Sequence, residues 1–230
     1  MNFKELKREV FEANLELVNR GLVIYTLGNV SQVDRNAGIM AIKPSGVSYS
    51  DMKADDMVLV DMENNVVEGT MRPSSDTKTH THLYRHFDNI GGVTHTHSTY
   101  ATAWAQAKQA IPCFGTTHAD FAHGEIPCTG ELTNEQITRD YEEETGVQIT
   151  DTYKDRNPIE TPMVVVAGHA PFTWGKDGAQ SVYHAVVLEE IARMAYLTRT
   201  LNPHSELLKQ EVADKHYLRK HGKNAYYGQS

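Results

Sequence analysis

Gly91-Gly92-Val93-Thr94-His95-Thr96-His97 decides how the rest of this 230-residue chain has to be arranged. Two glycines followed by β-branched residues predict an extended strand, in which side chains two positions apart share a face, about 7 Å apart along the backbone. His95 and His97 then offer two imidazoles to one side, able to close on a single ion at about 2.0–2.1 Å each. An ordinary surface strand can carry the same pattern, so a metal reading needs ligands from elsewhere in the chain. The run Thr79-His80-Thr81-His82 is an instructive contrast. It follows Ser74-Ser75-Asp76, a helix-start signal, and leads into Leu83, Tyr84 and Phe87 without strand-like alternation. Residues i and i+2 diverge on a helix. His82 and His86 have helical i, i+4 spacing, but no Glu follows His82 to act as a base, so His80 and His82 are expected to be solvated helix residues.

The flanking segments read as short strands mixed with helices. Phe3, Leu6, Val10, Ala13, Leu17 and Val18 recur at helical spacing and Gly21 stops the run, which predicts an amphipathic helix over 3–20. Strands are expected at 22–26, 30–34 and 39–43, the last two joined by Arg35-Asn36-Ala37-Gly38. Residues 57–61 and 66–67 flank the turn Glu63-Asn64-Asn65, and a helix opens at Ser74 or Ser75 and runs to about Phe87. Ser98 opens a helix over Ala101, Trp104 and Ala105. Thr133-Asn134-Glu135-Gln136 is a capping box for a helix that Gly146 is expected to end. Met163 to Ala167 reads as a buried strand that delivers Gly168-His169 at its end. Helices follow at 178–201, ended by Asn202-Pro203, and at 205–221, ended by Gly222 before the tail Ala225-Tyr226-Tyr227-Gly228. No repeat or linker divides the chain. Residues 1–230 are therefore read as one α/β domain with a largely antiparallel central sheet between helical layers.

Composition narrows the function class. The chain is 40% hydrophobic with a formal net charge of −8 and a sequence pI of about 5.8. An acidic surface gains little from nucleic acid or an anionic membrane, so neither is an expected partner, and any phosphate site must be local. The two cysteines, Cys113 and Cys128, form no C-x-x-C pair and suit a reducing compartment. No apolar signal segment or membrane span is recognisable, and a soluble, cytoplasmic protein is expected.

His169, at the end of a buried strand and before Ala170-Pro171, is placed to be a third ligand, and Asp76, in the first turn of its helix, a fourth through oxygen. Alone, a histidine in the place of His169 is more often a satisfied structural residue, and Asp76 is equally explained as an acid favoured by the helix dipole. Three imidazoles and a carboxylate fit Zn²⁺, with Mn²⁺ or Co²⁺ as substitutes. Gly28-Asn29, Lys43-Pro44-Ser45-Gly46 and Ser74-Ser75 are small, donor-rich segments of the kind that cradle a compact anion without a broad basic surface.

In this order the segments Gly28-Asn29-Val30-Ser31, Ile42-Lys43-Pro44-Ser45-Gly46, Pro73-Ser74-Ser75-Asp76, His95-Thr96-His97, Gly115-Thr116-Thr117-His118-Ala119-Asp120 and Lys215-His216-Tyr217-Leu218-Arg219-Lys220-His221-Gly222 resemble the L-ribulose-5-phosphate 4-epimerases of the class II aldolase/epimerase, adducin-like superfamily. The resemblance runs over essentially the whole chain. It implies a three-layer α/β/α sandwich, a bound zinc, and a cyclic homotetramer with active sites between subunits. It places Asp76, His95, His97 and His169 at the metal, and Asn29, Lys43, Ser45, Gly46, Ser74 and Ser75 around a substrate phosphate. Asp120 and Tyr227 become the acid/base pair, and His216 and Arg219, on a tail from about 205 to 230, reach a neighbouring subunit's site. One departure is Gly168-His169-Ala170-Pro171, where a Ser-His-Gly-Pro turn is expected; the ligand itself is retained. The implied reaction interconverts L-ribulose 5-phosphate and D-xylulose 5-phosphate by cleaving C3–C4, rotating the aldehyde and re-forming the bond. L-Ribulose 5-phosphate arises in both arabinose and ascorbate breakdown, and the sequence does not choose between them. The competing expectations are an aldolase acting on a related sugar phosphate such as L-fuculose 1-phosphate, a non-catalytic module like the adducin heads, and a generic zinc hydrolase, which the lack of a Glu base beside the histidines disfavours.

Overall fold

The computed structural model describes residues 2–227. Strands β1 (Asn29–Asp34), β2 (Ile39–Ile42), β3 (Val58–Asp61), β4 (Val66–Glu68), β5 (Gly92–His95), β6 (Met163–Val165) and β7 (Pro171–Gly175) form one seven-stranded sheet in the order β4-β3-β2-β1-β5-β7-β6. Every neighbouring pair is antiparallel. The helices are α1 (Phe3–Asn19), α2 (Thr77–His86), α3 (Thr99–Gln106), α4 (Thr116–Ala119), α5 (Asn134–Thr152), α6 (Gly178–Leu201) and α7 (Gln210–His221).

Alternation along the strands explains the layering. Met40, Ile42, Val58, Val60, Val93, Phe172 and Trp174 point to one face, where they pack with Leu83 and Tyr84 of α2 and Ile149 of α5. Their neighbours point the other way. Ile39, Ala41 and Leu59 meet Leu6 and Val10 of α1, Val30 meets Val182 and Ala185 of α6, and Met163 and Val165 meet Ala101 of α3 and Leu188 of α6. Period-two side chains buried on both faces require a helical layer on each side, and the result is the three-layer α/β/α sandwich that the resemblance implies. Each fully buried Leu, Ile or Phe contributes about 1.5–3 kcal/mol relative to exposure, so both faces are firmly specified.

Several local expectations are corrected. Residues 22–26 are not a strand. Leu22 donates its N–H to the Leu17 carbonyl (3.0 Å), and Leu22 and Val23 pack with Leu17 of α1, Val182 of α6 and Val30 of β1 without forming a strand. Ile24 and Tyr25 then project into solvent, with Tyr25 in the left-handed region (φ 53°). Gly146 does not end α5. It lies inside the helix because a Cβ there would come within 2.7 Å of the His82 Cβ, so the glycine permits a close approach of α2 and α5. His80 and His82 are buried under that contact rather than solvated. Strand β7 was not anticipated because Pro171 reads as a turn, although the first residue of a strand tolerates proline. The last helix starts at Gln210, not 205, and Gly228 lies outside the described residues.

Gly92 fixes where α6 begins against the sheet: a Cβ there would stand 2.2 Å from the Asp177 carbonyl. Gly92→Ala is expected to destabilise the fold by about 1–3 kcal/mol or more. Gly130→Ala, which meets only the Gln148 side chain at 3.4 Å, is expected to stay within about 0.5 kcal/mol of the parent. Thermal unfolding followed by circular dichroism checks both.

Candidate metal centre and anion cradle

β5 lies between β1 and β7, with His95 opposite Asn29 on one side and Phe172 on the other. Thr94 faces α6, where its Oγ1 shares a 2.7 Å hydrogen bond with Ser181 Oγ. His95 faces the other way and stacks on Phe172 with ring centroids 4.2 Å apart. Its Nδ1–H donates to the Pro171 carbonyl (2.9 Å). That bond sets the tautomer and leaves the Nε2 lone pair for a ligand.

Nε2 of His95 is 3.1 Å from Nε2 of His97, close to the roughly 3.3 Å that separates two nitrogens tetrahedrally bound to one zinc. His169 is brought in by the turn between β6 and β7. Gly168 takes φ 72° and donates to the Ala105 carbonyl (2.8 Å), and Val166 donates to the Ala170 carbonyl (3.0 Å). The His169 ring lies 4.9 Å from His95 and 5.2 Å from His97, and one ligand nitrogen from each of the three falls within 4.8 Å of the others. Nδ1 of His169 is buried and has no hydrogen-bond partner. Burial, followed by the neighbouring His95 and His97, pushes the His169 imidazole down to about 4, and burial likewise lowers His97. Neutral imidazoles at neutral pH are what a divalent cation requires, so this donor set fits one.

Asp76 caps the N-terminal end of α2 and accepts a 2.6 Å hydrogen bond from Asn29 Nδ2. Burial acts to raise its carboxyl, but His95, His80, the Asn29 bond and His169 together hold it below the usual carboxylate range. It is a fixed negative charge beside the imidazoles, although it is not one of the three groups that already converge. His80, which the helical reading left in solvent, is buried with Nδ1 on Ser31 Oγ at 2.7 Å, and burial drives it down to about 3.

The expected anion-binding segments share a cavity of about 390 Å³ with these residues: Asn29, Lys43, Ser45, Gly46, Ser74, Ser75, Asp76, His95, His97 and His169 all line it. Two loops are stitched together there by an antiparallel bridge between Pro44 and Pro73, with Ser45 N–H on the Arg72 carbonyl (2.9 Å) and Ser74 N–H on the Lys43 carbonyl (3.0 Å). Gly46 turns the first loop at φ 70°. Lys43 is only 2% exposed. Its Nζ donates to the Val47 carbonyl (3.0 Å) and sits 4.8 Å from the centre of the Tyr49 ring, and among the described residues no carboxylate pairs with it. Burial lowers its pKa. A buried cation without a counter-charge is costly, and an anion in the cavity would relieve that cost. Sequence reasoning missed Tyr141 and Glu142, which also line the cavity; nothing in their local sequence marks them, since α5 is placed by its packing on α2.

Asp120, His216, Arg219 and Tyr227 do not line this cavity. They form a second cluster, where α7 docks on α4. Arg219 donates to both carboxylate oxygens of Asp120 at 2.9 Å, and His216 Nδ1 lies 3.1 Å from Asp120 Oδ1. The Tyr227 ring is 4.9 Å from the Arg219 guanidinium and 60% exposed. Burial tends to raise the Asp120 carboxyl, but Arg219, His216 and Lys220 outweigh it and hold it low. Among the described residues no helix is long and apolar enough to cross a membrane.

Residues 8–196 match the family described as Class II Aldolase and Adducin N-terminal domain. The structure is similar to that of an L-fuculose 1-phosphate aldolase, with 26% identity, a TM-score of 0.78, and coverage of 92% of this chain and 94% of the other. L-Fuculose 1-phosphate aldolase from Glaciozyma antarctica PI12 gives 16% identity and a TM-score of 0.76 over 93% of this chain and 80% of that one. An aldolase II superfamily protein from Pseudomonas syringae gives 16% and 0.76 over 93% and 82%. The last two likenesses concern the fold alone.

His80, His118 and His169 are held neutral by burial, at about 3, about 4 and about 4. The unfolded chain takes up these protons near pH 6.5 and the native chain does not, so native stability is present above about 6.5 and is lost as pH falls toward 4. The melting temperature of metal-free protein is expected to drop over that window. His118→Gln, which keeps a donor for the Gly124 carbonyl that His118 Nε2 reaches at 2.8 Å, is expected to make the drop shallower.

Proposed function

This chain belongs to the Class II aldolase and adducin N-terminal domain family, and from that premise we propose that it is a zinc-dependent L-ribulose-5-phosphate 4-epimerase, for which Mn²⁺ or Co²⁺ can substitute. The observation that carries the reading is the one cavity joining three converging imidazoles to the buried Lys43, which pairs with no carboxylate among the described residues. Its polar lining suits a small sugar phosphate. The family and the L-fuculose 1-phosphate aldolase likeness support carbon–carbon bond chemistry on such a substrate. The epimerase reading rests on the segment beyond the family match, where α7 brings His216, Arg219 and Tyr227 to Asp120.

His95, His97 and His169, with Asp76, would hold the ion. When bound there, a divalent cation supplies Lewis acidity to the charge that develops at the substrate's carbonyl end. Asn29, Lys43, Ser45, Gly46, Ser74 and Ser75 would grip the phosphate and keep the aldehyde fragment tethered after C3–C4 cleavage, long enough to present its other face. One group removes the C4 hydroxyl proton as the bond breaks, and a second returns a proton to the C4 oxygen as it re-forms. Asp120 and Tyr227 are those two, exchanging duties with reaction direction. Because Asp120 is tied to Arg219 and His216, the four would enter a site together, and their separation from this chain's own cavity is what an interface site in a homotetramer requires.

Incubation with L-ribulose 5-phosphate, with and without chelator, is expected to give metal-dependent D-xylulose 5-phosphate with only trace glycolaldehyde phosphate. Dominant free aldehyde would favour the second reading, an aldolase on a related sugar phosphate, which the 26% identity to the L-fuculose 1-phosphate enzyme supports. Neither product from metal-loaded protein would overturn both. Asp120→Asn and Tyr227→Phe are each expected to lower turnover at least about tenfold with metal content unchanged. Mixing His95→Ala and Tyr227→Phe proteins under subunit exchange is expected to raise activity above that of either variant alone; no increase would contradict the interface site.

A further inference from the structure

We propose that Tyr141 is a substrate-positioning residue of the cavity, held there by a clamp that α2 closes on a break in α5. The inference rests on the sugar-phosphate reading above and adds a residue to it. Helix α5 is interrupted at Asp140, whose extended backbone (φ −169°, ψ 93°) ends one helical segment while its Oδ1 accepts the Glu143 N–H (3.3 Å) to start the next. Tyr141 follows the break directly. It lines the cavity, and its ring centroid is 6.0 Å from that of His169.

The break is gripped by consecutive turns of α2. Lys78 pairs with Asp140, Thr79 Oγ1 donates to the Glu142 carbonyl (2.6 Å), His82 Nδ1 contacts Glu143 (2.7 Å), and Arg85 pairs with Glu143 (2.7 Å). Lys78, His82 and Arg85 are spaced by four and three residues, so they share one helix face. Gly146 lets that face come close, since any Cβ there would strike His82. This accounts for the His80-Thr81-His82 run that metal binding does not use: His82 packs α5 into register. Because α2 begins just after Asp76, one short rigid helix sets Asp76 and Tyr141 relative to each other.

Tyr141 stands beside His169, whereas Lys43 and the serine loops form the phosphate-binding part of the lining. A phenol there is a neutral hydrogen-bond donor, and its place beside His169 aims it at a sugar hydroxyl or carbonyl oxygen near the metal ligands. The clamp would hold that donor at a fixed distance from the metal ligands, so that a phosphorylated sugar is recognised beyond its phosphate.

Calorimetric binding of an unreactive pentitol 5-phosphate and of inorganic phosphate to zinc-loaded protein separates the outcomes. Tyr141→Phe is expected to weaken the pentitol phosphate about three- to tenfold, the value of one neutral hydrogen bond, and to leave inorganic phosphate and zinc content unchanged. Lys78→Met is expected to act in the same direction and to add little to Tyr141→Phe in the double variant, because it works through the same residue. Equal weakening of both ligands, no change in Tyr141→Phe, or independent multiplication of the two effects would overturn the assignment. If the parent protein binds neither ligand, the sugar-phosphate reading falls and takes this inference with it. Should the parent bind both, only the role of Tyr141 is at stake.

Discussion

The register of β5 between β1 and β7 is the constraint on which the site depends. It places Asn29, His95 and Phe172 side by side across three strands, so that one imidazole is stacked on an aromatic ring, anchored through Nδ1 to the Pro171 carbonyl, and set beside an amide that holds Asp76. A slip of one residue would turn His95 toward α6 and Thr94 toward the cavity. The flanking cores prevent it, because Val93, Phe172 and Trp174 on one face and Val30 on the other are all buried. Close backbone approaches add to the constraint: Gly28, at φ 80°, has no room for a Cβ against the His95 carbonyl at 3.0 Å. Hydrophobic packing therefore fixes a polar geometry that the polar groups alone would not hold.

Electrostatics divides the functional residues into two groups. The cavity combines three converging imidazoles, one carboxylate held ionised, and one buried lysine, an arrangement that accommodates a cation and an anion close together. The α4–α7 cluster is instead internally compensated, with Asp120 facing Arg219, His216 and Lys220. A net charge of −8 leaves both groups dependent on local rather than global attraction.

Much of this was legible in the sequence for physical reasons that differ from residue to residue. Strand periodicity put His95 and His97 on one face but left an ordinary surface strand as the rival reading, and the antiparallel layering followed from the hairpins and the apolar pattern of strands 30–34 and 39–43. His169 and Asp76 each had a bland explanation, a structural histidine and a helix-dipole acid, and only the family resemblance gathered them before the fold placed them with Lys43 in one cavity. Three features resisted. Gly146 looked like a helix stop because sequence carries no information on the approach of His82, 64 residues earlier in the chain, where α2 packs on α5. Leu22 and Val23 looked like strand because apolar, β-prone residues serve equally well to pack helices. Tyr141 had no signal at all, since its place depends on a break at Asp140 that side chains of another helix stabilise. The C-terminal cluster shows the complementary limit: Asp120 and Tyr227 were named from the family pattern, and one chain's fold brings them to each other but not to the histidines.

The most direct test of the account is to grow crystals of the protein with zinc and collect anomalous diffraction at the zinc edge. The expected result is one ion per chain between the ring nitrogens of His95, His97 and His169, with a carboxylate oxygen of Asp76 in reach and nitrogen distances of about 2.0–2.1 Å. An ion bound elsewhere, or three histidines that keep their mutual contacts in saturating zinc without any anomalous peak between them, would contradict it.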